Sequence, residues 1–189
     1  AREVLLGLGF TEVMTLSLTS DEQEGAALGL AKRPAVHIAN PITTEHTTLR
    51  TTLLGSLLGL LSKNTHRDYP QQVFEVGDVV WWMGQGAPVN ARLLGLVNAH
   101  SKASFSEAKS LALALARDLG LPKQVEALDP QDPFASVFIA GRAAVLGKQA
   151  DPVAWFGELH PRTLEAFGMG QPAIALELKL GGAPASEGA

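Results

Sequence analysis

Apolar residues along this chain recur with two periods, and the switches between them mark out its elements. Over residues 2–8, Val4, Leu5 and Leu8 fall at helical spacing, and Gly9 follows where a helix would end. The next stretch, FTEVMTLSLTS, alternates, with Phe10, Met14, Leu16 and Leu18 on one parity and Thr11, Thr15 and Ser17 on the other. Period two with β-branched residues predicts a strand with one buried face. Residues 20–34 read as an irregular or partly helical excursion ending at Pro34, and AVHIAN as a short strand.

Helical spacing returns in Leu53, Leu54, Leu57, Leu58 and Leu61, with Thr51 or Thr52 available to cap the start. Lys63, His66 and Arg67 follow near the carboxyl end, where cations offset the helix dipole. QQVFEVGDVVWW (71–82) is the strongest strand signal, and with the turn-rich MGQGAPVN and the run RLLGLVNAH it predicts an antiparallel hairpin with a long loop. Ser104 and Glu107 have the spacing of a capping box for the helix FSEAKSLALALARDL, which buries Phe105, Ala108, Leu111, Ala112, Leu115 and Leu119 and stops at GLP. Strands near QVEAL, SVFIAGRAAVL and PVAWFGEL, a short helix over RTLEAFG and the strand PAIALELKL complete the core. Strands joined by turns rather than helical crossovers favour an α+β fold, an antiparallel sheet with helices on one face. Residues 1–180 then form one domain and 181–189, GGAPASEGA, a polar tail.

Composition narrows the function. A chain of 189 residues with 46% apolar and 18% charged residues suits one globular domain. Its net charge of −4 argues against an independent grip on a polyphosphate. Without cysteine there is no disulfide, thiolate metal site or thiol nucleophile. No apolar run approaches the roughly 20 residues of a membrane span, and no signal-peptide plan is present, so a cytoplasmic protein is expected. The chain opens within a helix and lacks an initiator methionine, the expected look of a fragment of a longer protein.

Candidate chemistry is sparse. Arg50 precedes a helix whose free N–H groups favour anions, so it could grip a ligand carboxylate or phosphate; pairing with Glu45 or capping a carbonyl is the favoured reading. Glu75 shares its parity with Val73, Gly77 and Val79, so its carboxylate needs a partner, either an ammonium ligand or an arginine such as Arg92 or Arg142. Glu158 and His160, two apart in FGELHP, could form a general acid–base pair, although Pro161 equally makes His160 a strand-to-helix corner. The five histidines lack ligand spacing, and no phosphate loop, nucleophile elbow or dinucleotide fingerprint occurs. The enzymatic alternative is therefore a small-molecule pocket around Arg50, Glu75, Arg142 and Glu158.

Five strings, in order and at matching spacing, carry a resemblance: GFTEVMTLSLTS, NPITTEHTTLRTTLLGSLLGLLSKNTHR, VFEVGDVV, GRAAVLG and WFGELHPRTLEAFGM with PAIALEL. Together they resemble the carboxyl-terminal part of the β subunit of phenylalanyl-tRNA synthetase, and AHSKASFSEAKSL is similar to its archaeal form. The resemblance implies a catalytic-like module with the antiparallel sheet of class II synthetases and no catalysis of its own. It implies no cofactor in this domain, with ATP and Mg²⁺ used by the α subunit, and tRNA engaged only through the whole complex.

The residues can be held against that implication. A working class II site places an arginine two residues before the strand glutamate to hold the ATP α-phosphate; here Glu75 is present but that position is Val73. A second arginine belongs in the glycine-rich stretch that opens the last helix; here the final strand, AIALELKLGGAP, has no arginine, and none occurs after Arg162. Losing both removes the fixed positive charge that phosphoryl chemistry requires. The resemblance further implies that the first helix and strand pack against the α subunit in a heterotetramer, with exposed residues among Val4, Leu5, Leu8 and Met14 at the contact. The isolated chain could self-associate through the same surface. Gly55 and Gly59, four apart, would admit another backbone against the leucine helix.

Overall fold

The computed structural model describes residues 1–30 and 34–181. In chain order, helix α1 (Arg2–Gly7) leads into β1 (Thr11–Glu12) and β2 (Leu18–Thr19), then a π-helical turn (Glu22–Ala27), β3 (Thr48–Leu49) and α2 (Leu54–Ser62). The long strands β4 (Gln71–Trp81) and β5 (Val89–Ala99) precede α3 (Phe105–Asp118) and β6 (Val125–Ala127). Strands β7 (Phe138–Lys148) and β8 (Asp151–Leu159), helix α4 (Pro161–Ala166) and β9 (Ala173–Gly181) complete the described chain.

Seven strands form one sheet in the order β1-β4-β5-β9-β8-β7-β6. Every pairing in it is antiparallel except that of β1 with β4, which is parallel and short, so the antiparallel expectation holds with one parallel edge. The hairpin forms as the alternation predicts, in unbroken register from Gln71↔Ala99 to Trp81↔Val89. The last strand inserts mid-sheet between β5 and β8.

Both faces of the sheet are covered, which corrects the expectation of helices on one face. One core cluster joins α2 (Leu53, Leu54, Leu57, Leu58 and Leu61) to Val73, Val79, Leu93, Val97 and Trp155. The other joins Leu5 of α1 and Ala108, Leu111, Ala112 and Leu115 of α3 to Phe74, Leu94, Leu96, Phe156 and Leu176. A two-sided sheet needs central strands that are apolar on both parities, and β5 is buried at every residue from Leu93 to Ala99.

Other local expectations are corrected too. Strand pairing in FTEVMTLSLTS covers only Thr11–Glu12 and Leu18–Thr19, and Met14 and Leu16 lie exposed between them. AVHIAN contributes a single bridge, His37↔Thr48. Ser104 occupies the N-cap of α3, but its side chain makes no cap bond; Glu158 of β8 accepts the Phe105 N–H instead, at 2.8 Å. Gly181 ends β9, so of the expected tail only residues 182–189 remain, outside the described residues, as do residues 31–33 of the excursion before Pro34. Gly55 and Gly59 do admit another segment, this chain's own π-helical turn: a Cβ on Gly59 would stand 2.8 Å from Gln23 Nε2, which donates to the Gly55 carbonyl.

The tightest approach of helix to sheet lies at Gly95, paired with Glu75 on one side and Glu177 on the other. A Cβ there would stand 2.7 Å from Leu53 Cβ, an atom fixed close to its own backbone. Gly95→Ala is expected to cost about 1–3 kcal/mol by overpacking. Urea unfolding checks this as a lower midpoint with an unchanged slope; an unchanged midpoint would mean that α2 is free to lift from the sheet.

Candidate functional site

Four consecutive residues at the start of α2, Arg50 to Leu53, hold three buried carboxylates from distant parts of the chain. Arg50 Nη2 donates to Glu75 Oε1 at 2.8 Å, and both side chains are only 3% exposed. The Thr51 N–H and hydroxyl donate to Glu24 Oε2 at 2.9 and 2.8 Å. The Thr52 hydroxyl and the Leu53 N–H donate to Glu177 Oε2 at 2.6 and 2.8 Å. The N-cap of α2 is Leu53, not Thr51 or Thr52, and it makes no side-chain cap bond; one residue earlier, Thr52 Oγ1 accepts the Leu54 N–H at 3.1 Å.

Backbone bonds explain why this segment sits so firmly. Val80 N–H donates to the Arg50 carbonyl and Arg50 N–H to the Ser17 carbonyl, both at 2.9 Å. Arg50 Nε donates to the Asp78 carbonyl at 3.0 Å, and Trp81 Nε1 to the Thr51 carbonyl at 2.9 Å. Thr15 closes the circuit: Arg50 Nη1 donates to Thr15 Oγ1 at 2.7 Å, and the Thr15 hydroxyl and N–H donate to Glu75 Oε2 at 2.6 and 3.2 Å. Arg50 thus pairs with Glu75 rather than Glu45, and Glu75 with neither Arg92 nor Arg142. Arg92 forks onto Asp78 at 2.5 and 2.8 Å, and that hydrogen-bonded guanidinium holds the Asp78 carboxyl below its ordinary range.

Glu24 is the least well served of the three. Burial pushes its carboxyl above the ordinary value of 4.5, outweighing the donors from Thr51 that act the other way. Its Oε1 is buried with no hydrogen-bond partner.

The proposed pocket of Arg50, Glu75, Arg142 and Glu158 is not one site. Glu75 shares its strand face with Val73 and Val79, under α2, whereas Glu158 shares its face with Ala154 and Phe156, under α3. The four therefore form two ion pairs on opposite faces. Arg142 Nη1 reaches Glu158 Oε2 at 2.8 Å, with Arg142 largely exposed. Glu158 and His160 also separate: Glu158 serves the first turn of α3, and His160 Nδ1 accepts the Arg162 N–H at the start of α4. Arg142 and Glu158 border a surface cleft of about 760 Å³ beside Leu164 and Met169. Arg50 and Glu75 line neither this cleft nor the one of about 650 Å³ between residues 14–18, α2 and α4. Among the described residues no group of His, Asp and Glu is arranged to hold a metal.

The expected contact residues divide as well. Leu5 is fully buried in the core cluster that α3 shares, which removes it from any docking surface. Val4 is partly buried against the same cluster. Leu8 is 48% exposed and Met14 92%, and Leu6 and Leu16, which went unnamed, are 54% and 64% exposed. Of the other residues missed, Glu177 had a signal, an acid on the apolar parity of Ala173 and Ala175; Glu24 and Thr15 had none.

A mixed sheet with α2 across one face and α1 and α3 across the other is the fold of class II aminoacyl-tRNA synthetases. Two structures of the pyrrolysyl-tRNA synthetase of Desulfitobacterium hafniense superpose with TM-scores of 0.71 and 0.70, covering 95% and 94% of this chain and 63% of theirs, at 17% and 18% identity. The chain belongs to the phenylalanyl-tRNA synthetase β chain family: the model of that chain's CLM domain matches residues 1–180. It is 41% identical over 186 residues to the phenylalanine–tRNA ligase β subunit of Archaeoglobus fulgidus and 34% identical over 181 residues to that of Thermococcus sibiricus. Each match covers 95% of this chain but only 32% and 31% of the relative, so the chain spans about a third of their length.

Two outcomes test the buried charges. Arg50→Met strands the Glu75 carboxylate and is expected to cost about 3–5 kcal/mol, whereas Arg50→Met combined with Glu75→Met costs far less; denaturant unfolding of both variants measures the difference, and additive losses would contradict the pairing. For Glu24 the folded chain keeps its proton to higher pH than the unfolded one. Its contribution is therefore fully present below about 4.5 and is lost as pH rises through the raised folded value. Thermal melts across pH are expected to show Glu24→Gln gaining on the wild type from about 4.5 towards neutrality; a constant difference would mean that Glu24 titrates normally.

Proposed function

We propose that this chain is the non-catalytic, catalytic-like module of a phenylalanine–tRNA ligase β subunit, docking the catalytic α subunit and supporting its ATP-dependent charging of tRNA with phenylalanine. The observation that carries this reading is the self-occupation of the sheet face under α2. Arg50 and Glu75, the charged pair best placed to meet a substrate there, are buried against each other. Val73, where a phosphate-holding arginine would stand, is packed in the core. A site whose charges are mutually neutralised has no fixed field to offer a developing phosphoryl charge.

On this reading the module takes no cofactor, and ATP and Mg²⁺ belong to the α subunit of a cytoplasmic heterotetramer. The net charge of −4 supports contact with tRNA through the assembled complex rather than through this module. Docking is supported by Leu8, Met14 and Leu16, large apolar side chains left exposed at the amino-terminal edge. The period-two pattern of FTEVMTLSLTS is that of a strand with a covered face, and the described residues leave its Met14 and Leu16 uncovered. The small-molecule alternative is weakened because its four residues lie on two faces of the sheet.

Titration of the β subunit with its α subunit tests the surface. Met14→Asp is expected to weaken association at least about a hundredfold, the loss typical of a central apolar contact, with the melting temperature unchanged. Association at wild-type strength would place the docking surface elsewhere.

A further inference from the structure

The exposed ridge of Met14 and Leu16 has very little holding it. Val13 N–H still donates to the Phe74 carbonyl at 2.8 Å, continuing the parallel pairing of β1 with β4. The next amide on that side, Thr15, would meet the Val76 carbonyl if the ladder ran on. It turns instead to the Glu75 side chain, and the backbone leaves the sheet there. Between the Val13 N–H and the Ser17 carbonyl, every described hydrogen bond to this segment runs through Thr15. Thr15 is itself held by a closed circuit in which the hydroxyl accepts from Arg50 and donates to Glu75 while Arg50 pairs with Glu75.

We propose that Thr15, clamped by the buried Arg50–Glu75 pair, is a positioning residue that fixes the Met14–Leu16 ridge in the conformation the α subunit binds. This role rests on the docking reading above. Three features support it. The clamp is charge-assisted and anchored on a buried ion pair, so it is stiffer than an exposed backbone bond. The two side chains it presents flank Thr15 directly, and alternation turns both away from the sheet. The same segment forms one wall of the cleft whose other wall is Gly59 and Leu60 of α2 and Lys63 just after it, with Phe167 beyond α4. The clamp therefore also sets the spacing of that groove. A segment ordered in advance spares the complex the entropy of ordering it on binding.

The test compares association of the β subunit with its α subunit for Thr15→Val, Thr15→Ser, Met14→Ala and the double variant Thr15→Val with Met14→Ala. Thr15→Val keeps the side-chain shape and removes the hydroxyl, and with it the bonds to both Arg50 and Glu75; it is expected to raise Kd at least about tenfold. Thr15→Ser retains the hydroxyl and is expected to bind as the wild type does. In the Met14→Ala background the effect of Thr15→Val is expected to shrink, because the clamp acts through the ridge. If Met14→Ala weakens binding while Thr15→Val leaves Kd unchanged, the docking surface stands and the positioning role is overturned. Equal losses from Thr15→Ser and Thr15→Val, or full additivity in the double variant, overturn it as well. If Met14→Ala has no effect on Kd, the docking reading itself fails and takes the positioning role with it.

Discussion

Buried carboxylates need donors, and the geometry that supplies them to Glu24, Glu75 and Glu177 organises this molecule. The three come from the π-helical turn, from β4 and from β9, elements separated by up to 153 positions in sequence, counting from residue 24 to residue 177. All are answered by the tetrapeptide Arg50–Leu53, whose side chains and amides point three ways at once. That constraint fixes where α2 begins and presses Leu53 against Gly95. It also lays the leucine stripe of α2 over the centre of the sheet. An apolar substitute for any one acid would leave the tetrapeptide's donors unanswered, so the acids and the donors form one unit.

The same unit explains how a fold widely associated with catalysis can serve as structure. A class II sheet offers a broad face on which charged groups can be aimed at a substrate, and here that face is closed from within. Arg50 is turned onto Glu75, and Glu177 onto the first turn of α2. At the edge, where β1 leaves the ladder, Met14 and Leu16 face solvent. Closing the centre and exposing the edge are linked through Thr15, which touches both Arg50 and Glu75.

How much of this could be read from the sequence depends on how local each signal is. The hairpin of β4 and β5, helix α3 and the leucine stripe of α2 were legible because alternation and helical spacing are properties of a dozen neighbouring residues. The place of β9 between β5 and β8 was not, since period two says that a strand has a buried face and not which strands flank it. Arg50 was matched to Glu45, five residues away, while its partner lies 25 residues on. Ser104 and Glu107 had the spacing of a capping box, yet Glu158 arrives from 53 residues away to take the amide. Leu5 and Met14 were grouped as contact residues, and only packing separates them: Leu5 is fully buried in a core cluster, and Met14 is 92% exposed. The alternation of FTEVMTLSLTS does not become one buried face: Phe10 is buried, Met14 and Leu16 are exposed, and the segment pairs only over Thr11–Glu12 and Leu18–Thr19. Family membership was legible because five strings in order constrain identity more tightly than any single contact.

If the sheet face is occupied by the chain's own residues, the module contributes binding rather than chemistry. Counting ATP sites tests it most directly, by equilibrium dialysis of labelled ATP against the purified αβ complex in the presence of phenylalanine. One site is expected for each αβ pair, unchanged when Arg50 and Glu75 are replaced together by methionine. Two sites for each pair, with one lost in that variant, would show that the face under α2 opens to a nucleotide and would contradict it.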